Sequence, residues 1–203
     1  RYRVTLLEGR VELDYTHLPK LGTPGAPQVV VMLFDYACPH CRTVHGYLHT
    51  WLSEAPRQRL VILLPAPLDA QCNPELTHTD ARFVGSCERA RLALAVWRQS
   101  PAQFAQFDQW MLATPEPRTP ALAHAQAQAL LGSSTLQQAL ADPWINQTIA
   151  DGLTIHTNIR GPQGEYAHLP KLIVGQGMLV GRPGTLTEFQ AELQALLSTT
   201  PAP

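Results

Sequence analysis

Four cysteines stand in this 203-residue chain, and only Pro39 and His40 separate Cys38 from Cys41. Two thiols at this spacing can form a redox-active disulfide within one helical turn, or can supply half of a zinc site. A zinc site needs two more ligands, and the sequence has neither a second C-x-x-C nor a histidine pair at zinc-finger spacing. We therefore predict a redox pair, with no metal and no cofactor.

The residues around this pair predict a reactive thiol at Cys38. The apolar run 29–34 is typical of a buried strand, and Pro39 suits the first turn of a helix over 39–54. Cys38 would then lie where unpaired backbone N–H groups and the helix dipole stabilise a thiolate. We expect His40 to add a donor or a positive charge between the sulfurs. An exposed Cys38 would exchange with a substrate, and a deeper Cys41 would resolve the mixed disulfide.

The hydrophobic pattern predicts the elements that position these cysteines. Apolar runs at 29–34 and 59–64 indicate two buried strands around the helix, which make a βαβ unit with parallel strands. Between residues 73 and 145 we find no convincing strand, and prolines separate segments of helical pattern. These helices are expected at 80–98, 101–113, 119–131 and 133–141.

The two ends of the chain complete the predicted fold. Short elements are expected there: strands at 4–7, 11–13, 171–174 and 178–180, and helices at 144–159 and 185–197. We therefore predict an α/β fold in three parts. A first core segment covers 1–70, a helical insertion covers 71–145, and a second core segment covers 146–203.

Charge and hydropathy exclude several classes of partner. Fifteen basic and sixteen acidic residues give a formal net charge of -1 without a basic block, which argues against nucleic acid or an anionic membrane surface. The sequence has no apolar run of about 18 residues, so it predicts no membrane span. A start at Arg1 rather than Met is compatible with removal of a signal peptide or membrane anchor.

Cys72 and Cys87 form a second pair. We favour a structural disulfide, which would close a loop of about 16 residues and stabilise the protein by about 3 kcal/mol. A second redox pair that relays electrons and two free buried thiols are the alternatives. A structural bridge would indicate an oxidising compartment.

Two segments resemble a known family. The segment from Phe34 to Cys41 is similar to the active-site segment of DsbA-like proteins, the bacterial envelope thiol oxidases, whose hallmark is Pro-His between the cysteines. The segment from Leu169 to Gly175 resembles the cis-proline strand of thioredoxin folds. The resemblance covers most of the chain and implies a thioredoxin-like fold with a helical insertion.

The resemblance also implies a cis peptide bond between Leu169 and Pro170, facing the cysteines. Such a bond leaves the preceding backbone groups free to pair with an extended substrate. The alternative is an ordinary trans proline at the start of a strand. Thioredoxins and the isomerase members usually carry Thr at the position of Leu169, so this residue favours an oxidase.

Two features depart from the family pattern. Many members bury a carboxylate six positions before the first cysteine, where this chain has Met32. Asp35 is close in sequence, but its place at a strand end leads us to expect an exposed side chain. The pair Cys72 and Cys87 is also not part of the common DsbA pattern.

Four further residues are candidates for binding. We predict that Tyr36 provides an apolar contact for the substrate beside Cys38, and that His168 binds the substrate near the active site. His45 and His49 lie four apart on the predicted helix, a spacing that could bind a metal. Since no third ligand is evident in the sequence, we expect two solvated histidines.

These inferences together predict a dithiol oxidase that forms disulfides in exported proteins. Its location would be periplasmic or otherwise extracytoplasmic. Its partners would be cysteine-containing protein substrates and a membrane or soluble redox partner, with no nucleic acid. The alternatives are a disulfide reductase or isomerase with the same site, a non-catalytic binding or chaperone module, and the soluble arm of a larger redox membrane system. We expect a monomer, because the chain lacks the N-terminal dimerisation domain of DsbC-like isomerases.

Overall fold

The structure is a computed structural model that describes residues 2–165 and 167–199. Its strands are β1 (Arg3–Leu6), β2 (Val11–Asp14), β3 (Lys20–Gly22), β4 (Gln28–Phe34), β5 (Arg59–Pro65), β6 (Lys171–Val174) and β7 (Gly177–Val180). β1 and β2 form a separate antiparallel hairpin. The other five strands form the central sheet in the order β3-β5-β4-β6-β7.

β4 is the centre of the sheet and of the apolar core. Its last five residues, from Val30 to Phe34, are buried, as a continuous apolar run requires of a strand covered on both faces. It pairs in parallel with β5 and antiparallel with β6. The predicted βαβ unit is therefore present. β3, which pairs antiparallel with β5, was not predicted, because a three-residue edge strand has too little pattern to be recognised.

Seven α-helices surround the sheet in the described part of the chain. They are α1 (Pro39–Glu54), α2 (Ser86–Gln99), α3 (Pro101–Leu112), α4 (Pro120–Leu131), α5 (Ser133–Leu140), α6 (Pro143–Asn158) and α7 (Leu186–Thr199). The buried helix α2 packs against α3, α4, α5 and α6, so it forms the centre of the helical part. None of the described helices is long and apolar enough to cross a membrane.

The first helix after β5 begins later than predicted. The expected helix over 80–98 begins only at Ser86, because Ala81–Phe83 form a short 3₁₀ turn and Gly85 has φ of 81°. That left-handed conformation suits glycine and separates the turn from α2. The predicted α/β class with a helical insertion is confirmed, while the three-part division at residues 70 and 145 stays a prediction.

The helical part is fixed to the sheet at two buried points. α6 lies so close to β5 that a Cβ atom on Gly152 would lie 2.4 Å from the carbonyl oxygen of Pro65. On β6, the buried Nζ of Lys171 donates to the carbonyl oxygen of His156, 2.9 Å away, and contacts its Nδ1 at 3.0 Å. Burial lowers the pKa of Lys171 to about 8 and that of His156 to about 4. These contacts hold the start of β6 against the end of α6.

The Cys72–Cys87 disulfide joins the loop after β5 to the first turn of α2. The buried carboxylate of Asp69 also organises this loop. It accepts hydrogen bonds from the backbone N–H of Gly85 at 2.9 Å and from the hydroxyl of Thr79 at 3.1 Å. The bridge thus joins two ends of a segment that has little regular structure of its own.

Replacing Cys72 and Cys87 together by alanine is expected to lower the free energy of unfolding by about 3 kcal/mol, as the closed loop predicts from chain entropy. Urea unfolding of wild type and double variant, followed by circular dichroism, measures the difference. The thiol-oxidation rate of the folded double variant should equal that of wild type. Loss of the thiol-oxidation rate without loss of stability would instead support the alternative that Cys72 and Cys87 are a second redox pair that relays electrons.

Candidate active site

The redox pair lies at the junction of β4 and α1. Cys38 is the N-cap residue of α1, and Pro39 occupies the first turn. The Cys38 sulfur accepts a hydrogen bond from the backbone N–H of Cys41 at 3.3 Å. Both thiols are free, and Cys41 is fully buried. The geometry therefore directs the amide donors of the first helical turn at one sulfur.

The two thiols have opposite pKa shifts. The hydrogen bond from the Cys41 thiol is the main cause that lowers the pKa of Cys38; the backbone N–H groups of Cys41 and His40 add to it, while burial opposes it. Burial raises the pKa of Cys41 well above its ordinary value, and the bond to Cys38 adds to that rise. Reduced protein thus favours a thiolate on Cys38 and a retained proton on Cys41.

Two details differ from the sequence prediction. Cys38 is only 4% exposed, so its sulfur is more enclosed than expected. His40 is exposed, and its imidazole makes no hydrogen bond to the described residues; the residue contributes through its backbone N–H. The main chain therefore provides the donors that we expected in part from the imidazole.

The bond between Leu169 and Pro170 is cis, and both residues are buried. The carbonyl oxygen of Leu169 lies 3.9 Å from Cys38 Sγ. His168 precedes them with an exposed side chain. The structure thus brings the predicted proline segment to the redox sulfur, with His168 at the adjoining surface.

Asp35 is buried, which corrects our expectation of an exposed side chain. Its carboxylate accepts hydrogen bonds from the backbone N–H groups of Ala37 and Leu68, each at 2.7 Å, and from the hydroxyl of Ser86 at 2.8 Å. Burial raises the pKa of Asp35 despite these bonds. Its negative charge is also among the causes that raise the pKa of Cys38 and Cys41. A buried carboxylate therefore stands beside the pair, although position 32 carries methionine.

Arg42 is a buried cation that the sequence analysis missed. It is 9% exposed, and its Nη2 donates to the carbonyl oxygen of Tyr36 at 3.2 Å. Its Nε and Nη1 are buried and have no hydrogen-bond partner among the described residues. Burial lowers the pKa of Arg42, and negative charge on Cys38 and Cys41 opposes this. The guanidinium therefore favours an anion at the pair.

Tyr36 is not a surface contact for a substrate. The residue is 2% exposed, its ring packs edge-on against Phe34, and its hydroxyl donates to Oδ1 of Asp108 at 2.7 Å. The predicted role of Tyr36 in substrate binding is therefore wrong. Its ring instead packs in the core beside the site.

The expectation of two solvated histidines on α1 is also wrong. His45 is buried, and its Nε2 lies 2.5 Å from Oδ2 of Asp108, which is fully buried on α3. His49 is half-buried, with its ring 4.7 Å from that of His45. Asp108 is thus the third group that the sequence analysis did not find. The sequence does contain one indication of its burial, because Asp108 is a carboxylate on the apolar helix face formed by Phe104, Phe107 and Met111.

Comparison with known proteins establishes the fold. No protein-family model and no curated protein matches the sequence. Among solved structures, the catalytic domain of Proteus mirabilis ScsC is 19% identical, with 90% of each chain covered and a TM-score of 0.69. The thiol-disulfide exchange protein alpha-DsbA2 from Wolbachia pipientis is 17% identical, with 89% of this chain and 88% of that chain covered and a TM-score of 0.69.

A periplasmic thioredoxin-like protein from Salmonella enterica serovar Typhimurium is also similar. It is 22% identical, with 90% of this chain and 91% of that chain covered and a TM-score of 0.64. The sheet, the helical insertion and the C-x-x-C motif at a strand-to-helix junction therefore define a thioredoxin-like fold, as predicted. The chain shares this fold with the ScsC catalytic domain and with alpha-DsbA2 over about nine-tenths of its length.

Proposed function

We propose that this protein is a thiol–disulfide oxidoreductase that uses Cys38 and Cys41 as its redox pair. The position of Cys38 at the N-terminus of α1, where its sulfur accepts the backbone N–H of Cys41, carries this proposal. The opposite directions of the pKa shifts of the two thiols agree with it, because they favour an anion on Cys38 and a proton on Cys41. An anionic, hydrogen-bonded Cys38 is both a nucleophile and a good leaving group. The cis segment at Leu169 and Pro170 supports a binding place for an extended substrate next to that sulfur.

The cycle begins with a Cys38–Cys41 disulfide. A substrate thiolate attacks Cys38 Sγ, the intramolecular S–S bond breaks, and Cys41 leaves with the electron pair. Burial and the raised pKa then favour protonation of Cys41. A second substrate thiolate attacks the substrate sulfur of the mixed disulfide and releases the Cys38 thiolate. The substrate gains a disulfide, and the enzyme is left as a dithiol.

The direction we propose is oxidation. Groups that stabilise the reduced form of a dithiol make its disulfide a stronger oxidant. The lowered pKa of Cys38 and the apolar Leu169 both favour an oxidase over a reductase or isomerase. An extracytoplasmic location, cysteine-containing protein substrates and a separate redox partner that reoxidises the dithiol follow from this direction.

A redox titration combined with the pKa of Cys38 tests the proposal. We expect a reduction potential less negative than about −200 mV, nearer the oxidase end of the range than thioredoxin. Because the pKa of Cys38 is lowered, its thiolate should persist as pH falls below the ordinary range for cysteine. The ultraviolet absorbance of the thiolate against pH, with Cys38→Ser as blank, measures this.

The two readouts separate the alternatives. A strongly reducing potential with a lowered pKa would favour the reductase. A Cys38 thiol that titrates like free cysteine would contradict the mechanism.

A further inference from the structure

A cluster of metal-binding groups lies one to two helical turns beyond the redox pair. One nitrogen each from His45 and His49, both on α1, and one carboxylate oxygen from Asp108 on α3 lie within 4.8 Å of one another. It is the only group of three or more His, Cys, Asp or Glu side chains suited to a metal ion among residues 2–165 and 167–199. The redox thiols are not members, so the cluster is separate from the site described above.

The surroundings of the cluster favour a cation. Asp108 is fully buried, and its two oxygens face different partners: Oδ1 accepts from the Tyr36 hydroxyl, and Oδ2 faces Nε2 of His45. Such a hydrogen bond to the far oxygen is the outer support that orients metal-binding carboxylates. Nε2 of His49 is buried and has no hydrogen-bond partner among the described residues. A buried imidazole nitrogen without a partner is costly, and a metal ion would satisfy it.

We propose that His45, His49 and Asp108 bind one divalent transition-metal ion, for which zinc is the best match. Two imidazole nitrogens and one carboxylate oxygen are a common donor set for zinc, with a fourth position left for water. Binding requires imidazole nitrogens that carry no hydrogen, so the hydrogen between His45 Nε2 and Asp108 moves to Nδ1 of the same ring or leaves to solvent when the ion enters. The 2.5 Å separation of His45 Nε2 and Asp108 Oδ2 must widen, because both atoms then lie about 2 Å from one ion.

The position of the site indicates what the ion would do. It would join α1, which carries the redox pair, to α3 of the helical insertion, and would add to the existing contact between His45 and Asp108. His49 is half-buried, and its helical neighbours Gly46 and Thr50 are exposed, so the cluster lies near the protein surface. We therefore expect the ion to stabilise the fold and not to take part in thiol exchange.

Titration of the full chain with zinc tests this proposal. Cys38 and Cys41 are first closed as a disulfide or alkylated, so that no thiolate can bind the metal. We expect about one zinc ion per chain by calorimetry, and a higher melting temperature with zinc than with chelator. His45→Ala and His49→Ala should abolish binding. Tyr36→Phe, which removes only the outer hydrogen bond, should weaken it about tenfold.

His17→Ala is the matched control, because this histidine is exposed and, among the described residues, it takes part in hydrogen bonding only through its backbone carbonyl, which accepts from Trp97. It should bind zinc like wild type. If a variant fails to fold, cobalt binding to the wild-type protein still tests whether the site exists. A tetrahedral visible spectrum with paramagnetic shifts of the His45 and His49 ring protons supports the site. Absence of binding to the wild type, or equal binding by folded His49→Ala, overturns it.

Discussion

A Cys38→Ser variant is expected to lose thiol-oxidation activity by about a thousandfold or more, since a serine hydroxyl at this position cannot form or exchange a disulfide. The fold should be retained, because the hydroxyl can still accept the backbone N–H of Cys41 that the sulfur accepts now. Oxidation of a reduced model protein, followed by loss of free thiol, measures the rate.

Cys41→Ser is the informative companion variant. It keeps Cys38 but removes the resolving thiol. When a substrate disulfide is supplied, the Cys38 thiolate should attack one of its sulfurs, expel the other as a thiolate and remain bound as a covalent mixed disulfide. Nonreducing electrophoresis shows this adduct directly. Wild-type activity in the Cys38→Ser variant, or an adduct on Cys72 or Cys87, would remove the basis for the proposed function and favour the non-catalytic module.

We predict that Asp35, whose buried negative charge acts on both thiols, exchanges the proton of Cys41. An Asp35→Asn variant is then expected to slow the steps in which Cys41 gains or loses a proton by about a hundredfold, the usual loss when a positioned acid–base group is removed. The pKa of Cys38 should change together with the rate. Because the Asp35 charge contributes to raising the pKa of Cys38, its removal should lower that pKa further. Stopped-flow rates against pH, together with thiolate absorbance, measure both effects.

Asp69→Asn is the matched control for this variant. Asp69 is also a buried carboxylate that accepts backbone hydrogen bonds, but it organises the disulfide loop. Both variants should lose some stability, because the amide N–H₂ of asparagine replaces a carboxylate oxygen that accepted a hydrogen bond. Only Asp35→Asn should change the pKa of Cys38. Equal slowing by both variants, with no change in that pKa, would show that Asp35 is purely structural.

The sequence predicted correctly those features that depend on a residue's place within one strand or helix. The apolar run before Cys38 and the proline after it predicted both the central strand and the helix that begins at Pro39. The predicted reactivity of Cys38 was inferred from that junction. The start of β6 at Lys171 was also predicted correctly, because a short apolar run follows Pro170 in the sequence.

The residues that were missed depend on contacts between distant elements. Asp35 is buried because Leu68 and Ser86, which are 33 and 51 positions away, supply its donors. His45 and Tyr36 both meet Asp108, which lies 63 and 72 positions further along the chain. A hydrophobic pattern over neighbouring residues does not reveal contacts between residues so far apart in the chain. We therefore expected these side chains at the surface. The partners that enclose these side chains come from the loop after β5 and from helices α2 and α3.

The enclosure of Cys38 has a consequence for the choice of client proteins. With 4% of the residue accessible and the Leu169 carbonyl 3.9 Å from the sulfur, a partner thiol must arrive on a narrow stretch of chain. We expect nascent or unfolded polypeptides to insert such a stretch more readily than compact folded domains. Under the proposed function, shape alone would make the enzyme act on proteins before they finish folding and leave their completed disulfides untouched.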